Sequence, residues 1–300
     1  MYFPRPLQSF ILRDPKTRTI SVSDFRDRVV HHALVNILQL IFEPRFIYDS
    51  YGSSKGKGTL AALKRFDAFL RKVTMNGKLQ LNSKKNIAGF VLKADIKSYF
   101  GSVDHDVLID ILKKRVTDGE VIWLVERILR NYNSEVPGKG MPLGNWTSQF
   151  FANVYLNELD QFVKHELGAK YYLRYVDDFV ILEHSKVKLQ EYLTAIREFL
   201  RTLKLELHPT KCRIVPAGGG TALLGFRAFY RYKLVRRRNL RRFHTRLASL
   251  LKEYKEGVVS ADFVLNKLKG WNGYALQGNT HMLRKKLQML VEKELQKEKS

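Results

Sequence analysis

A chain of 300 residues can bury a sizeable core as one multi-lobed unit or as two domains. Its 53 Lys and Arg against 29 Asp and Glu leave a formal charge of +24, which points to polyanionic partners, nucleic acid foremost. No apolar run approaches the roughly 20 residues of a membrane-spanning helix, residues 1–23 lack the apolar centre of a signal peptide, and the lone Cys212 excludes an internal disulfide or a cysteine-rich zinc site; a cytoplasmic protein without membrane contact is expected.

Residues 1–19, rich in Pro and Arg, read as an irregular lead-in. From Ser23 or Asp24 a helix is expected, because Val29, Val30, Leu34, Ile37, Leu38 and Ile41 recur at helical spacing. His31 and His32 lie inside it, and adjacent positions do not share a helix face, which argues against a metal pair. Residues 52–58 form a flexible basic loop holding Lys55 and Lys57 between glycines, and a second amphipathic helix follows from Thr59 to about Val73. Residues 75–86 are polar and basic, an exposed loop or hairpin. An apolar strand over residues 90–94 then ends on Asp95.

Asp104 is placed to cap a helix to about Arg115, and Asp118 a second one to about Tyr132. Pro137, Gly138 and Gly140 enforce a turn, after which Asn145 or Thr147 starts a helix bearing Phe151, Val154, Tyr155, Leu159 and Phe162. Residues 170–183, KYYLRYVDDFVILE, are aromatic and β-branched on both sides of Asp177 and Asp178 and read as a hairpin with the two acids at its bend. Helix is expected over 186–203 and a short strand around His208-Pro209-Thr210-Lys211. Gly218-Gly219-Gly220 is a turn, and with no GK[ST] after it the run is not a Walker loop. Beyond Arg227, Arg236, Arg237, Arg238, Arg241, Arg242 and Arg246 share a helical stretch with Leu240, Phe243, Leu247, Leu250 and Leu251. Two further helical segments carry Trp271 and Tyr274, then Arg284, Lys285 and Lys286; charge of one sign on this scale suits a nucleic-acid face.

Adjacent carboxylates repel, and an isolated acidic pair is most often a solvated turn. The usual compensation for a pair aimed at one place is a divalent cation, and oxygen-only ligation points to Mg²⁺. A second acid at a strand end, Asp95, raises the weight of that reading. Together the two segments match the three-carboxylate site of palm-type polymerases. Tyr175-Val176-Asp177-Asp178, preceded by Asp95-Ile96-Lys97-Ser98-Tyr99-Phe100, resembles reverse transcriptases, and the likeness runs in order from about Arg13 to Leu290. Viral RNA-dependent RNA polymerases usually carry Gly before the acidic pair, so Val176 argues for the DNA-making branch. Leu223-Leu224-Gly225-Phe226 resembles the strand that supports the primer in reverse transcriptases.

The resemblance implies an α+β right-hand polymerase, with fingers over residues 1–90, a palm built on an antiparallel sheet over 91–230, and a helical thumb over 231–300. A finger-type helical insertion would occupy about 104–145 of the palm. It implies Asp95 and Asp177 as ligands of Mg²⁺, with Asp178 nearby and the carbonyl of Ile96 as a further ligand. Phe100 would stand against the sugar 2′ position, where a ring excludes a 2′-OH; as a lone aromatic it would equally serve the core. Lys55 and Lys57 suit a triphosphate because backbone amides and ammonium groups between glycines close on it without Cβ obstruction. Arg28 is carried over as a basic residue near the incoming nucleotide, and Lys211 as the acid that protonates pyrophosphate. The implied partners are an RNA template, a DNA or RNA primer and dNTPs.

Many reverse transcriptases read P-Q-G-x-x-x-S-P; here the residues are Pro142-Leu143-Gly144-Asn145-Trp146-Thr147-Ser148-Gln149. An apolar residue in the Gln slot, followed by Ser-Gln, resembles the reverse transcriptases of diversity-generating retroelements, relatives of the group II intron type. That branch implies adenine-directed errors and a small basic accessory protein. The alternatives are a group II intron-type or defence-associated reverse transcriptase and, outside enzymes, a catalytically silent nucleic-acid-binding scaffold, against which the three intact acids argue.

Overall fold

The computed structural model describes residues 2–13, 17–79 and 87–296. Two compact units divide the chain, the first comprising residues 1–62 and 90–215, the second 63–89 and 216–300.

The first unit opens with an antiparallel pair, β1 (Gln8–Leu12) and β2 (Arg18–Val22), in register from Gln8 opposite Val22 to Leu12 opposite Arg18. Within the expected irregular lead-in, residues 8–12 and 18–19 are therefore strand. Every residue of β1 is exposed, so no inward-facing alternation marks the strand in the sequence. Helix α1 (Phe25–Phe42) follows, capped by the Asp24 carboxylate, which accepts from the Arg26 N–H at 3.0 Å. It buries Asp27, His31, Leu34, Val35, Leu38 and Phe42, while Val29 and Ile37, expected on the apolar face, are 55% and 60% exposed. Apolar residues lie on more than one side of this helix, and spacing alone does not choose which side faces the core. His31 is buried, which depresses its pKa to about 4, with Asp27 partly opposing that; His32 instead stacks on Trp146 at 6.2 Å.

Strand β3 (Ser50–Tyr51) and strand β4 (Phe90–Asp95) come next, then the short α3 (Tyr99–Ser102); helix α2 (Thr59–Val73) lies between β3 and β4 in sequence and belongs to the second unit from Leu63 onward. Helices α4 (His105–Lys113) and α5 (Gly119–Arg130) are capped as expected, Asp104 accepting from the Val107 N–H and Asp118 from the Glu120 and Val121 N–H groups. Helix α6 (Trp146–Gln161) precedes the hairpin of β5 (Tyr171–Tyr175) and β6 (Asp178–Glu183), and α7 (Lys186–Thr202) and β7 (Arg213–Pro216) complete the unit. The short strand expected within 205–215, around 208–211, is displaced: residues 209–211 form a turn and β7 begins at Arg213. Only Leu207 bridges, to Ile96, and Pro209 has no N–H to offer a ladder.

Five strands form one sheet in the order β3-β5-β6-β4-β7, with β3 parallel to β5 and the β5–β6 and β6–β4 pairs antiparallel. Side chains alternate across it. Leu92, Ala94, Tyr172, Phe179 and Ile181 join a single buried cluster with Leu34, Leu38, Leu108, Val125, Phe151, Tyr155 and Ile196 from the helices. The opposite set on β4 and β6, Lys93, Asp95 and Asp178, carries charge at the end of the sheet.

The second unit holds the antiparallel sheet β10-β9-β8, made of β8 (Thr221–Leu223), β9 (Phe226–Ala228) and β10 (Lys233–Val235). Of the 223–226 segment, Leu223 ends β8 and Phe226 begins β9, with Leu224-Gly225 the tight turn between them. Gly225 has φ +89 there, and a Cβ on it would come within 2.5 Å of Tyr274 Oη. Helices α8 (Arg237–Lys255), α9 (Ala261–Ala275) and α10 (His281–Gln296) pack through Leu247, Leu251, Val264, Leu268, Leu287 and Val291. Phe243 and Trp271 stack at 4.1 Å beside them. Within 75–86, Leu79 bridges to Ile87; residues 80–86 lie outside the described residues. No described helix is long and apolar enough to cross a membrane.

Candidate active site

The hairpin between β5 and β6 has a two-residue turn, Val176-Asp177, closed by the pairing of Tyr175 with Asp178. Asp177 thus occupies the turn itself, and Asp178 is the first residue of β6. A turn this tight needs a positive φ, and the residue that supplies it is Val176, at +54°. A β-branched side chain in that region is strained by about 1–3 kcal/mol and persists only where its surroundings over-determine it.

Those surroundings are unusually well bonded. Arg174, fully buried on β5, donates from Nη1 to the Val176 carbonyl at 2.9 Å and to Asn153 Oδ1 at 3.1 Å. Its Nη2 reaches Ser50 Oγ at 2.8 Å, and Nε and Nη2 together grip Asp160 on α6, the shortest contact being 2.6 Å. Tyr172 Oη donates to the same carboxylate at 2.6 Å. Burial alone would lower the Arg174 pKa, but the Asp160 charge and hydrogen bonds hold it above its ordinary value. The Val176 N–H donates to the Tyr51 carbonyl at 3.1 Å, and Asn153 Nδ2 to the Gly52 carbonyl at 3.1 Å. Gly52, at φ +89, leaves the Val176 side chain room that a Cβ, only 2.6 Å from Val176 Cγ2, would take.

Register then brings the acids together. Asp95 at the end of β4 lies directly opposite Asp178, and the Ile96 N–H donates to the Asp177 carbonyl at 3.2 Å. Burial raises the Asp177 pKa, with the Asp178 and Asp95 charges adding to it. Burial likewise raises that of Asp178; Lys93 opposes the rise and Asp95 reinforces it. Two ammonium groups meet the cluster, Lys211 Nζ at 2.7 Å from Asp95 Oδ1 and Lys93 Nζ at 3.5 Å from Asp178 Oδ1. Among the described residues no three His, Cys, Asp or Glu side chains are gathered closely enough to hold a metal ion, and the outer two carboxylates turn to these lysines. The donor chemistry nevertheless suits Mg²⁺. The donors are hard carboxylate oxygens, and burial and neighbouring carboxylates disfavour the charge of Asp177 and Asp178, as a divalent cation would relieve.

The other expected positions are distributed around this centre. The loop carrying Lys55 and Lys57 is closed by the Gly52 N–H donating to the Lys57 carbonyl at 2.9 Å, and it is tied to the acidic turn through Gly52. Lys55 is exposed, whereas Lys57 Nζ lies 5.2 Å from the Tyr48 ring centroid. Phe100 is half-buried, packed edge-on to Tyr99 at 5.6 Å, and its carbonyl accepts from the Met141 N–H at 2.7 Å. Leu143 and Gly144 are docked on β2. The Ser21 N–H donates to the Leu143 carbonyl at 2.7 Å, and a Cβ on Gly144 (φ +125) would sit 2.9 Å from Ile20 Cγ2. Asn145 locks this segment, accepting from the Ser23 N–H and donating to the Ser21 carbonyl. Arg28 is exposed over Phe25 and makes no ion pair with the three aspartates among the described residues.

Sequence reasoning passed over Lys93, Arg174 and Asp160 as site residues of this kind. Signals for two of them existed. Lys93 and Asp95 are two apart on one strand and so share a face. Arg174 is the single charge in the otherwise aromatic and apolar strand β5, whereas Asp160, on a helix that also carries Glu158, gives no such signal.

A family model described as "Reverse transcriptase (RNA-dependent DNA polymerase)" matches residues 13–228. Protein YkfC of Escherichia coli (strain K12) is 27% identical over 268 residues, covering 75% of this chain and 65% of that protein. The group II intron-encoded protein LtrA of Lactococcus lactis subsp. cremoris is 27% identical over 172 residues, covering 54% of this chain and 26% of LtrA. The chain thus spans less than two thirds of the length of each of these two relatives. In fold it is similar to a telomerase from Candida albicans, with a TM-score of 0.53 at 11% identity over 75% of this chain and 45% of that one. With the matched region covering well over half of its length and containing all three aspartates, the chain belongs to the reverse transcriptase family and has relatives of the group II intron-encoded type.

Proposed function

We propose that this protein is an RNA-dependent DNA polymerase that extends a DNA or RNA primer along an RNA template from dNTPs. The observation that carries the reading is the juxtaposition of Asp95 and Asp178 across β4 and β6, with Asp177 in the adjoining strained turn. Mg²⁺ would be held by Asp95, Asp177 and Asp178, with the carbonyl of Ile96 as a further oxygen ligand. When bound, the metal supplies activation of the attacking primer oxygen and neutralisation of charge on the leaving pyrophosphate. Lys211, within hydrogen-bond reach of Asp95, is proposed as the acid that gives pyrophosphate its proton. The 52–58 loop, with Lys55 and Lys57, would close on the triphosphate, and Arg28 would add positive charge near it. In this reading fingers, palm and thumb correspond to residues 1–90, 91–230 and 231–300, and the α8 arginines hold the duplex. The test is extension of a labelled primer on a defined RNA with dNTPs and Mg²⁺; a purified, folded protein that binds primer–template and adds no nucleotide sinks the proposal.

Phe100 is proposed to exclude ribonucleotides by the bulk of its ring. Phe100→Val is expected to raise the rNTP-to-dNTP incorporation ratio at least several-fold, since a cleared steric clash of roughly 1–3 kcal/mol converts to that range. An unchanged ratio would make Phe100 a packing residue only.

Within the family, Leu143 supports the diversity-generating retroelement branch, with mutagenic copying and a small basic accessory protein as partner. A glutamine in this slot offers an amide for hydrogen bonding near the incoming nucleotide; leucine has neither donor nor acceptor. One such contact is worth on the order of 1 kcal/mol, or several-fold in selection. Leu143→Gln is therefore expected to lower errors opposite template adenine a few-fold while polymerisation continues, read by sequencing cDNA made with the accessory protein supplied. The adenine bias comes from the family resemblance and not from leucine's chemistry. An unchanged error spectrum excludes Leu143 as its cause. The group II intron type is the second reading, favoured by the likeness to LtrA; a paired variable and template repeat in the flanking DNA would decide against it.

A further inference from the structure

The turn between β9 and β10, Phe229-Tyr230-Arg231-Tyr232, belongs to no part of the site described above. Turns built only for geometry favour Gly, Asn, Asp, Pro or Ser, and this one has none of them. It is instead a ladder of flat groups. The Phe229 N–H closes the turn on the Tyr232 carbonyl at 2.8 Å, and the two rings stack at 4.5 Å with planes 21° apart. The Arg227 guanidinium lies 5.4 Å from the Phe229 ring centroid, and that of Arg231 lies 5.2 Å from that of Tyr230. Tyr230 abuts Gly77, where a Cβ would fall 2.3 Å from the ring, so the turn is braced from below.

The ladder stops at Tyr232. That residue is 43% exposed, and among the described residues it has no ring or cation partner besides Phe229. Beside it opens a cavity of about 240 Å³ whose lining includes Arg71, Tyr230, Arg231, Tyr232, Gln277 and Asn279. Asp67 also lines it, but its carboxylate is engaged by the Lys233 ammonium. The surrounding sequence is of one sign, with no Asp or Glu between Glu206 and Glu253. An aromatic face at the end of a stack, next to arginines and amides, is complementary to a nucleobase with its phosphates.

We infer that the 229–232 turn is a stacking platform for an unpaired base of a single-stranded nucleic acid, which lies on Tyr232 while Arg231 and Arg71 meet the flanking phosphates. The inference deepens the polymerase reading by assigning a surface that holds an unpaired strand, but stacking itself requires neither metal nor catalysis.

The experiment measures binding of labelled single-stranded RNA, single-stranded DNA and an abasic strand of equal length, in EDTA, by fluorescence anisotropy. Tyr232→Ala is expected to weaken the base-bearing strands roughly ten-fold, within the range of base–aromatic stacking, and to leave the abasic strand unchanged. Tyr232→Phe, which keeps the ring, should bind like the parent. Because Tyr232 is at the surface, circular dichroism of Tyr232→Ala should match the parent. Loss on RNA, DNA or both, dependent on bases, supports the platform. Equal loss on the abasic strand, or no loss at all, overturns it. Primer extension run in parallel separates the two readings: a parent protein that stacks bases but extends no primer defeats the polymerase proposal alone, and one that extends primers with Tyr232→Ala binding unchanged defeats the platform alone.

Discussion

Asp177→Asn and Asp95→Asn should each reduce primer extension by about a thousand-fold or more, with binding of primer–template nearly unchanged. The magnitude follows from losing several kcal/mol of charge stabilisation at roughly 1.4 kcal/mol per factor of ten. On the polymerase reading binding survives, because a polyanion would be held by the basic surface and not by these acids. Asp177→Asn has a second, opposite consequence that guards against a trivial explanation. The folded-state pKa of Asp177 is raised, first by burial and then by its acidic neighbours. A carboxyl with a raised folded pKa binds its proton more tightly folded than unfolded, so its ionisation lowers stability as pH rises from the unfolded pKa through the folded one. At neutral pH the neutral amide therefore leaves the fold at least as stable as the parent. Loss of activity with an unchanged or higher melting temperature supports the assignment. Parent-like turnover by either variant removes the carboxylates from the chemistry.

The second large effect is expected at a residue that touches no substrate. Arg174→Met strips the Asp160 carboxylate of its guanidinium partner in the core, where both side chains of the pair are fully buried. Breaking such a pair from one side costs about 3–5 kcal/mol. Replacing both partners, Arg174→Met with Asp160→Leu, should recover much of that, because no charge is then stranded. Chemical denaturation of the two variants and the parent measures the difference; a single-variant loss below about 1 kcal/mol would contradict the buried-pair account. The double variant also separates fold from function. It restores the core but not the hydrogen bond from Arg174 to the Val176 carbonyl, so the strained turn loses an anchor. Its kcat is expected to stay low while its stability returns, and recovery of both together would make Arg174 a stability residue only.

Much of the architecture was legible along the chain. Caps at Asp24, Asp104 and Asp118 and the periodicity of α2, α4, α5 and α7 are local, and a helix satisfies its backbone within itself, so its pattern survives in a single segment. The β5–β6 hairpin and β4 were legible for a related reason: short aromatic and β-branched runs between breaks have few other uses. The β1–β2 pairing was not, local though it is, because the exposed residues of β1 leave no inward-facing alternation to mark a strand. Nor was the turn at 209–211, where composition suggested a strand that Pro209 disallows.

For the candidate site, the residue types and their order were in the sequence: three aspartates, a loop lysine pair, Lys211 and the 142–149 segment. Family membership followed from that order, since it is a property of the string. Which atoms meet was decided only in three dimensions. Register set Asp95 against Asp178, the core set Arg174 on Asp160 and on the Val176 carbonyl, and β2 gripped the Leu143 carbonyl and the Asn145 side-chain amide on either side of Gly144. Apart from the Val176 contact, which is two residues away, each of these joins separate elements of the chain, and its formation repays loop-closure entropy through burial and shared hydrogen bonds. No local pattern records such a balance, so the sequence determined the chemistry available to this protein, and tertiary packing decided which charges became neighbours.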